Sequence, residues 1–87
     1  MVTVINTHEV AQFDAWKQIF DAGAENRSRA GINVRNVYRS ADNENKVTVI
    51  SEVADIDSAK AFIANLRPIL TKAGVSEPEF MILEKVM

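Results

Sequence analysis

The chain has one histidine and one tryptophan, and both stand in "VINTHEVAQFDAWKQIFD", residues 4–21, as His8 and Trp16. An imidazole titrates near pH 6.5, so His8 is the side chain best suited to move a proton at neutral pH. Asn6 lies two residues earlier, on the same side of an extended chain, where its amide can orient a ligand oxygen. Tyr38 and Asn36 bring a phenol and a second amide on another extended run, and could orient a ligand carbonyl or phenolate. Trp16, Phe20 and Phe62 supply apolar surface against which a planar molecule can lie. Each has a plain structural alternative. A strand-end histidine can bond to backbone or solvent, aromatic residues at helical spacing can be core, and Asn36 and Tyr38 can sit at a subunit seam.

Other chemistries lack their residues. There is no cysteine, which removes disulfides, thiolate metal sites and thiol nucleophiles together. A single histidine cannot build a His-rich metal centre, and His8 would be the only imidazole for a haem iron. The three glycines, at 23, 31 and 74, form no phosphate-binding loop. No G-x-S-x-G elbow is present. The expectation is therefore no metal and no cofactor. The net charge is −2, which disfavours nucleic acid. Arg27, Arg29, Arg35 and Arg39 do gather in one stretch, either for an anionic ligand or as a solvated face. The start "MVTVINTHEV" has no basic region followed by an apolar core, and no window approaches the roughly 18 apolar residues of a membrane span. No membrane association is expected, and a cytoplasmic protein is the default.

The elements that must position these residues follow from periodicity. Residues 2–7, "VTVINT", read as a strand, rich in β-branched residues. Val10, Phe13, Trp16, Phe20 and Ala24 then recur at spacings of three and four, which predicts one amphipathic helix ending near Gly31. Residues 32–41 and 46–54 read as strands, joined by a turn at "DNEN" (42–45). Residues 55–74 read as a second helix, capped by Asp55 or Asp57, interrupted or kinked at Pro68 and ended by Gly74. Residues 79–87 read as a last strand. The order β-α-β-β-α-β predicts one α+β domain over 1–87, with a four-stranded antiparallel ferredoxin-like sheet and both helices on one face.

A sheet with a solvated open face alternates apolar and polar residues, and these strands do not. Phe80 and Ile82 oppose Met81 and Leu83. Val47, Val49 and Val53 oppose Ile50. Val2 and Val4 oppose Ile5. A second copy of the chain is the simplest cover for the far side, packed sheet to sheet in a homodimer. Perfect alternation in the second strand places Tyr38, Val34, Asn36 and Ser40 on one side, and Arg35, Val37 and Arg39 on the other. There the arginines could form ion pairs across a dimer, with Glu52 or Glu84.

The segments "THEVAQFDAWKQIFD", "AGINVRNVYRSADNENKVTVISEV" and "DSAKAFIANLRPILTKAGVSEPEFMILE" resemble the dimeric α/β-barrel superfamily over nearly the whole chain. The nearest branch is that of small antibiotic-biosynthesis-monooxygenase-like proteins. The resemblance implies a ligand cavity between sheet and helices in each subunit. It also implies, for an enzyme, cofactor-free oxidation or isomerisation of a small, planar, oxygenated organic molecule. His8 would be the base, with Asn6 or Tyr38 at the oxyanion. The alternatives are a non-catalytic module that binds a small hydrophobic or anionic metabolite, and a structural or regulatory dimer.

Overall fold

A computed structural model describes residues 1–72 and 75–87. The elements are β1 (Val2–Glu9), α1 (Phe13–Ala22), α2 (Ala24–Arg29), β2 (Asn33–Ser40), β3 (Asn43–Val53), α3 (Ile56–Lys72) and β4 (Ser76–Glu84). The strands form one antiparallel sheet in the order β2-β3-β1-β4. This is the expected ferredoxin-like topology, with β1 and β3 central.

The first helical segment is divided. Gly23 separates α1 from α2, and Val10 precedes the helix, buried, with its N–H donated to Asn45 O at 2.7 Å. Gln12, at the N-cap, makes no side-chain cap. The Phe13 N–H instead reaches the Asn45 side-chain oxygen at 3.1 Å, so β3 caps α1 from outside. The second division ends as the sequence predicts. Gly31 takes φ 78°, donates to Ser28 O at 3.1 Å, and Ile32 donates to Arg27 O at 2.9 Å. These are the paired bonds of a glycine-ended helix, with Arg27 and Arg29 in its last turn.

Helix α3 runs through Pro68 as one helix, so of the kink or split expected there the split does not occur. Ala59, Phe62, Ile63, Leu66 and Leu70 lie along one stripe of it and pack on the sheet both before and after the proline, which offsets the lost N–H. Asp55, rather than Asp57, is the cap: its carboxylate accepts the Ser58 N–H at 2.7 Å. That bond holds the Asp55 carboxyl below its ordinary range. The proposed helix end at Gly74 lies outside the described residues. Strand β4 starts earlier than read, at Ser76, and the β2–β3 turn falls at Ala41–Asp42, where Ser40 Oγ donates to Asp42 at 2.7 Å.

One face of the sheet carries Val2, Val4, Asn6 and His8 from β1 and Val47, Val49, Ser51 and Val53 from β3, all buried. Two apolar clusters cover it. Val2, Val4, Val53 and Ala59 pack with Ile32, Phe62, Ile63 and Ile82. Val10, Val47, Leu70 and Val75 pack with Phe13, Trp16, Leu66 and Phe80. The other face bears Ile5 and Ile50, with Tyr38, Met81 and Leu83 exposed at 54%, 55% and 40%. A Thr7–Thr48 hydroxyl bond of 3.0 Å crosses that face, and Arg35 pairs with Glu52 there.

The register between β2 and β3 slips between Val34 and Asn36, a β-bulge. Val34, Val37 and Arg39 stand opposite Ser51, Val49 and Val47 on the helix side. Asn36 and Tyr38 stand opposite Ile50 and Thr48 on the far side. The expected grouping of Val34 with Tyr38, and of Arg35 with Arg39, is thereby corrected: one extra residue flips the strand beyond it.

Replacing Gly31 by Ala forces an L side chain into the left-handed region, and a loss of about 1–2 kcal/mol in urea unfolding is expected. Gly23→Ala, at φ −86°, carries no such backbone strain and should cost less.

Candidate functional site

The period of two in β1 sends Asn6 and His8 to the helix side, 5% and 3% exposed. Their side chains bond, His8 Nδ1 to Asn6 Oδ1, at 3.1 Å. An amide oxygen can only accept, so Nδ1 donates and carries the ring proton. This tautomer leaves Nε2 as a bare lone pair. Nε2 is buried and has no hydrogen-bond partner among the described residues. An unmet buried acceptor costs about 1–3 kcal/mol. Burial also pushes the imidazolium pKa below its ordinary 6.5, so the ring is neutral at pH 7.

Helix α1 roofs this pair with aromatic rings. Trp16 meets His8 edge-on, with centroids 5.8 Å apart and planes at 66°. Phe20 stacks on Trp16 at 4.9 Å, and Phe13 lies tilted against it at 5.8 Å. Arginines close both ends of the row. The Arg27 guanidinium lies 3.9 Å from the Phe20 centroid, and that of Arg39 lies 4.7 Å from the Phe13 centroid. Burial lowers the Arg27 pKa, an effect that nearby Asp21 opposes. Arg67 lies 4.9 Å from Phe80, the β4 neighbour of Asn6 in register. Beside His8 the β1–β4 ladder slips, so that Thr7 faces Glu79 and Glu9 faces Ser76. Pro78 falls in that interval, where its missing N–H is tolerated.

The fold thus brings together His8, Asn6, Trp16 and, through Trp16, Phe20. It places Phe62 in the other cluster, beside Val2 and Val4. It places Asn36 and Tyr38 on the far face, so within this chain they do not join His8. Phe13 and Arg39 join the site instead. The stripe of the first helix contained Phe13, three residues before Trp16, but only the bulge in β2 turns Arg39 to the helix side, where it stays exposed. Two surface depressions lie apart from His8, one among Met1, Asp55, Asp57 and Lys85, the other along Arg39 to Glu44.

Two solved structures share this architecture. A provisionally named antibiotic biosynthesis monooxygenase of Deinococcus radiodurans superposes with a TM-score of 0.73 at 10% identity, covering 100% of this chain and 94% of that one. One of Nitrosomonas europaea, likewise provisionally named, gives 0.71 at 18% identity, covering 100% of both chains. No protein-family model and no curated protein matches the sequence. The likeness is one of fold, the ferredoxin-like α+β fold of those monooxygenase-like proteins, and it agrees with the resemblance carried by the sequence. Among the described residues, no helix is long and apolar enough to cross a membrane.

The His8 pKa predicts a pH dependence. Because the folded value lies below 6.5, the unfolded chain binds the proton more readily. Stability is full above about pH 6.5 and falls as pH drops towards the folded value, by at most about 1.4 kcal/mol per unit for one proton. Urea unfolding from pH 8 to 5 should show this slope, and His8→Gln should remove it.

Proposed function

We propose that the chain is a homodimeric α/β-barrel protein whose subunits each bind a small planar organic molecule over the His8–Asn6 pair, with His8 as a proton acceptor. The observation that carries this is the bare, buried Nε2 of a histidine whose other nitrogen is held by Asn6. A neutral imidazole with one nitrogen anchored is a base with a fixed direction. A ligand C–H or O–H placed at Nε2 would meet the orphan lone pair, and Trp16 would lie against its ring.

The chemistry that fits is removal of a proton next to a carbonyl or phenol, with the Asn6 amide keeping the imidazolium oriented. The carbanion can be reprotonated elsewhere, giving isomerisation. Alternatively it reacts with dioxygen: a CH2 becomes C=O, one oxygen atom enters the product and the other leaves as water. The substrate supplies the electrons, so no cofactor enters that balance. The monooxygenase names of the two structural neighbours support this direction. The lack of cysteine agrees with work in a reducing cytoplasm.

The dimer rests on the far face of the sheet, where Ile5, Ile50, Met81 and Leu83 have no helix above them. A contiguous apolar sheet face on an 87-residue chain is an interface waiting for a partner. A second reading, a dimer without a ligand, draws on the closed roof over His8, which is 3% exposed.

Two measurements decide. Sedimentation equilibrium should give twice the 9.7 kDa chain mass, and Ile50→Glu with Met81→Glu should give the single mass. A monomeric parent chain refutes the sheet-to-sheet dimer. Aromatic ketones and phenols, 1-tetralone among them, should exchange their acidic hydrogens in D2O or consume dioxygen with the protein present. His8→Gln should lower that rate by about 10²–10⁴-fold. Binding at Trp16 without turnover of any compound points to the binding module, and no binding points to the ligand-free dimer.

A further inference from the structure

The helix face of the sheet sets a base and a cation in one row. His8 of β1 and Arg39 of β2 are both register partners of Val47, which stands between them, wholly buried. Adjacent antiparallel Cα atoms are about 4.5–5.5 Å apart, so the two backbones lie about 10 Å from each other. Their side chains rise from the same face, towards the roof made by Phe13 and Trp16.

Among the described residues, no carboxylate pairs with Arg39. The ion pairs among the described residues are Lys17–Asp21, Arg29–Glu25 and Arg35–Glu52. Of the acids near the hairpin, Asp42 accepts from Ser40 and Glu9 accepts from Asn43, each at 2.7 Å, while Glu44 lines the same surface depression as Arg39 without an ion pair to it. The Arg39 guanidinium carbon instead lies 4.7 Å from the Phe13 ring centroid, a cation–π contact. Such a contact does not use up the N–H donors of a guanidinium. The N–H edge of a guanidinium matches the two oxygens of a carboxylate. Helix α1, which forms the roof, contributes no buried residue, so it is the part of the cover least anchored to the core.

We infer that the ligand of this site is a planar aromatic or conjugated carboxylate. Its ring crosses Val47 beneath Trp16, its carboxylate meets the N–H edge of Arg39, and its polar end is at His8 Nε2. The inference rests on the reading of His8 and Trp16 as a ligand site, and deepens it by naming the charge. It also accounts for the β2 bulge, without which Arg39 would stand on the far face.

The test uses the full chain, labelled with 15N. Trp16 gives the single indole N–H signal and His8 the single imidazole set. The probes are 4-hydroxybenzoate and its uncharged methyl ester, which share a ring and differ in charge. The acid is expected to shift both signals saturably, and to bind at least about tenfold more tightly than the ester. Arg39→Met should abolish that preference, and Arg39→Lys should keep part of it. Arg35→Met, on the same strand but paired with Glu52 on the far face, should leave it intact. Spectral dispersion confirms that each variant is folded. Equal binding of acid and ester overturns the carboxylate while the ligand site stands. An acid preference unchanged in Arg39→Met overturns the role of Arg39. If neither probe moves Trp16 up to about 10 mM, the carboxylate and the ligand site fall together.

Discussion

The period of two in β1, a central strand, governs what this chain can do. Because β1 pairs on both edges, its side chains have only the two faces of the sheet to occupy. The helix side receives Val2, Val4, Asn6 and His8. Two valines anchor one apolar cluster, while the amide and the imidazole extend beneath α1. A slip by one residue would exchange this set for Thr3, Ile5, Thr7 and Glu9, and would bury an acid where the imidazole now stands. The hydrophobic burial of Val2 and Val4 thus holds Asn6 and His8 in place, and their mutual bond selects the tautomer.

The cover over that pair is built differently from the rest of the core. Helix α3 lays a continuous apolar stripe on the sheet and includes buried Ala59 and Leu70. Helix α1 buries nothing fully and is held by its aromatic row, by Asn45 at its first N–H and by two arginines in cation–π contact. Dispersion and cation–π contacts of this kind are individually small and reversible. A roof made of them can yield where a roof of buried leucines could not. The chain therefore packs α3 on the sheet through buried residues and α1 through half-buried aromatic rings, next to the imidazole.

Much of the architecture was readable in one dimension. Helical spacing from Phe13 to Phe20, the β-branched runs and the cations before Gly31 led to the correct element order. The doubly apolar strands foretold a far face bearing Ile5, Ile50, Met81 and Leu83. Some boundaries were less legible. Gly23 divides a stripe whose apolar spacing continues across it, and Pro68 sits in a helix that packing holds together. The start of α1 is capped by Asn45, more than thirty residues away in sequence, which no local pattern can signal.

By itself the sequence determined the ferredoxin-like order, the two-sided sheet and the placement of His8 and Asn6 on one side of a strand. These follow from local periodicity, which a backbone cannot evade. Only the tertiary structure decided the membership of the site. A bulge between Val34 and Asn36 turned Arg39 towards the helices and sent Tyr38 and Asn36 away, and the separation of two clusters left Phe62 far from Trp16. The reason is physical: a bulge is set by how two strands settle against each other, and cluster membership by how helices seat on the sheet. Both are relations between distant segments, and neither leaves a mark on the spacing of either one.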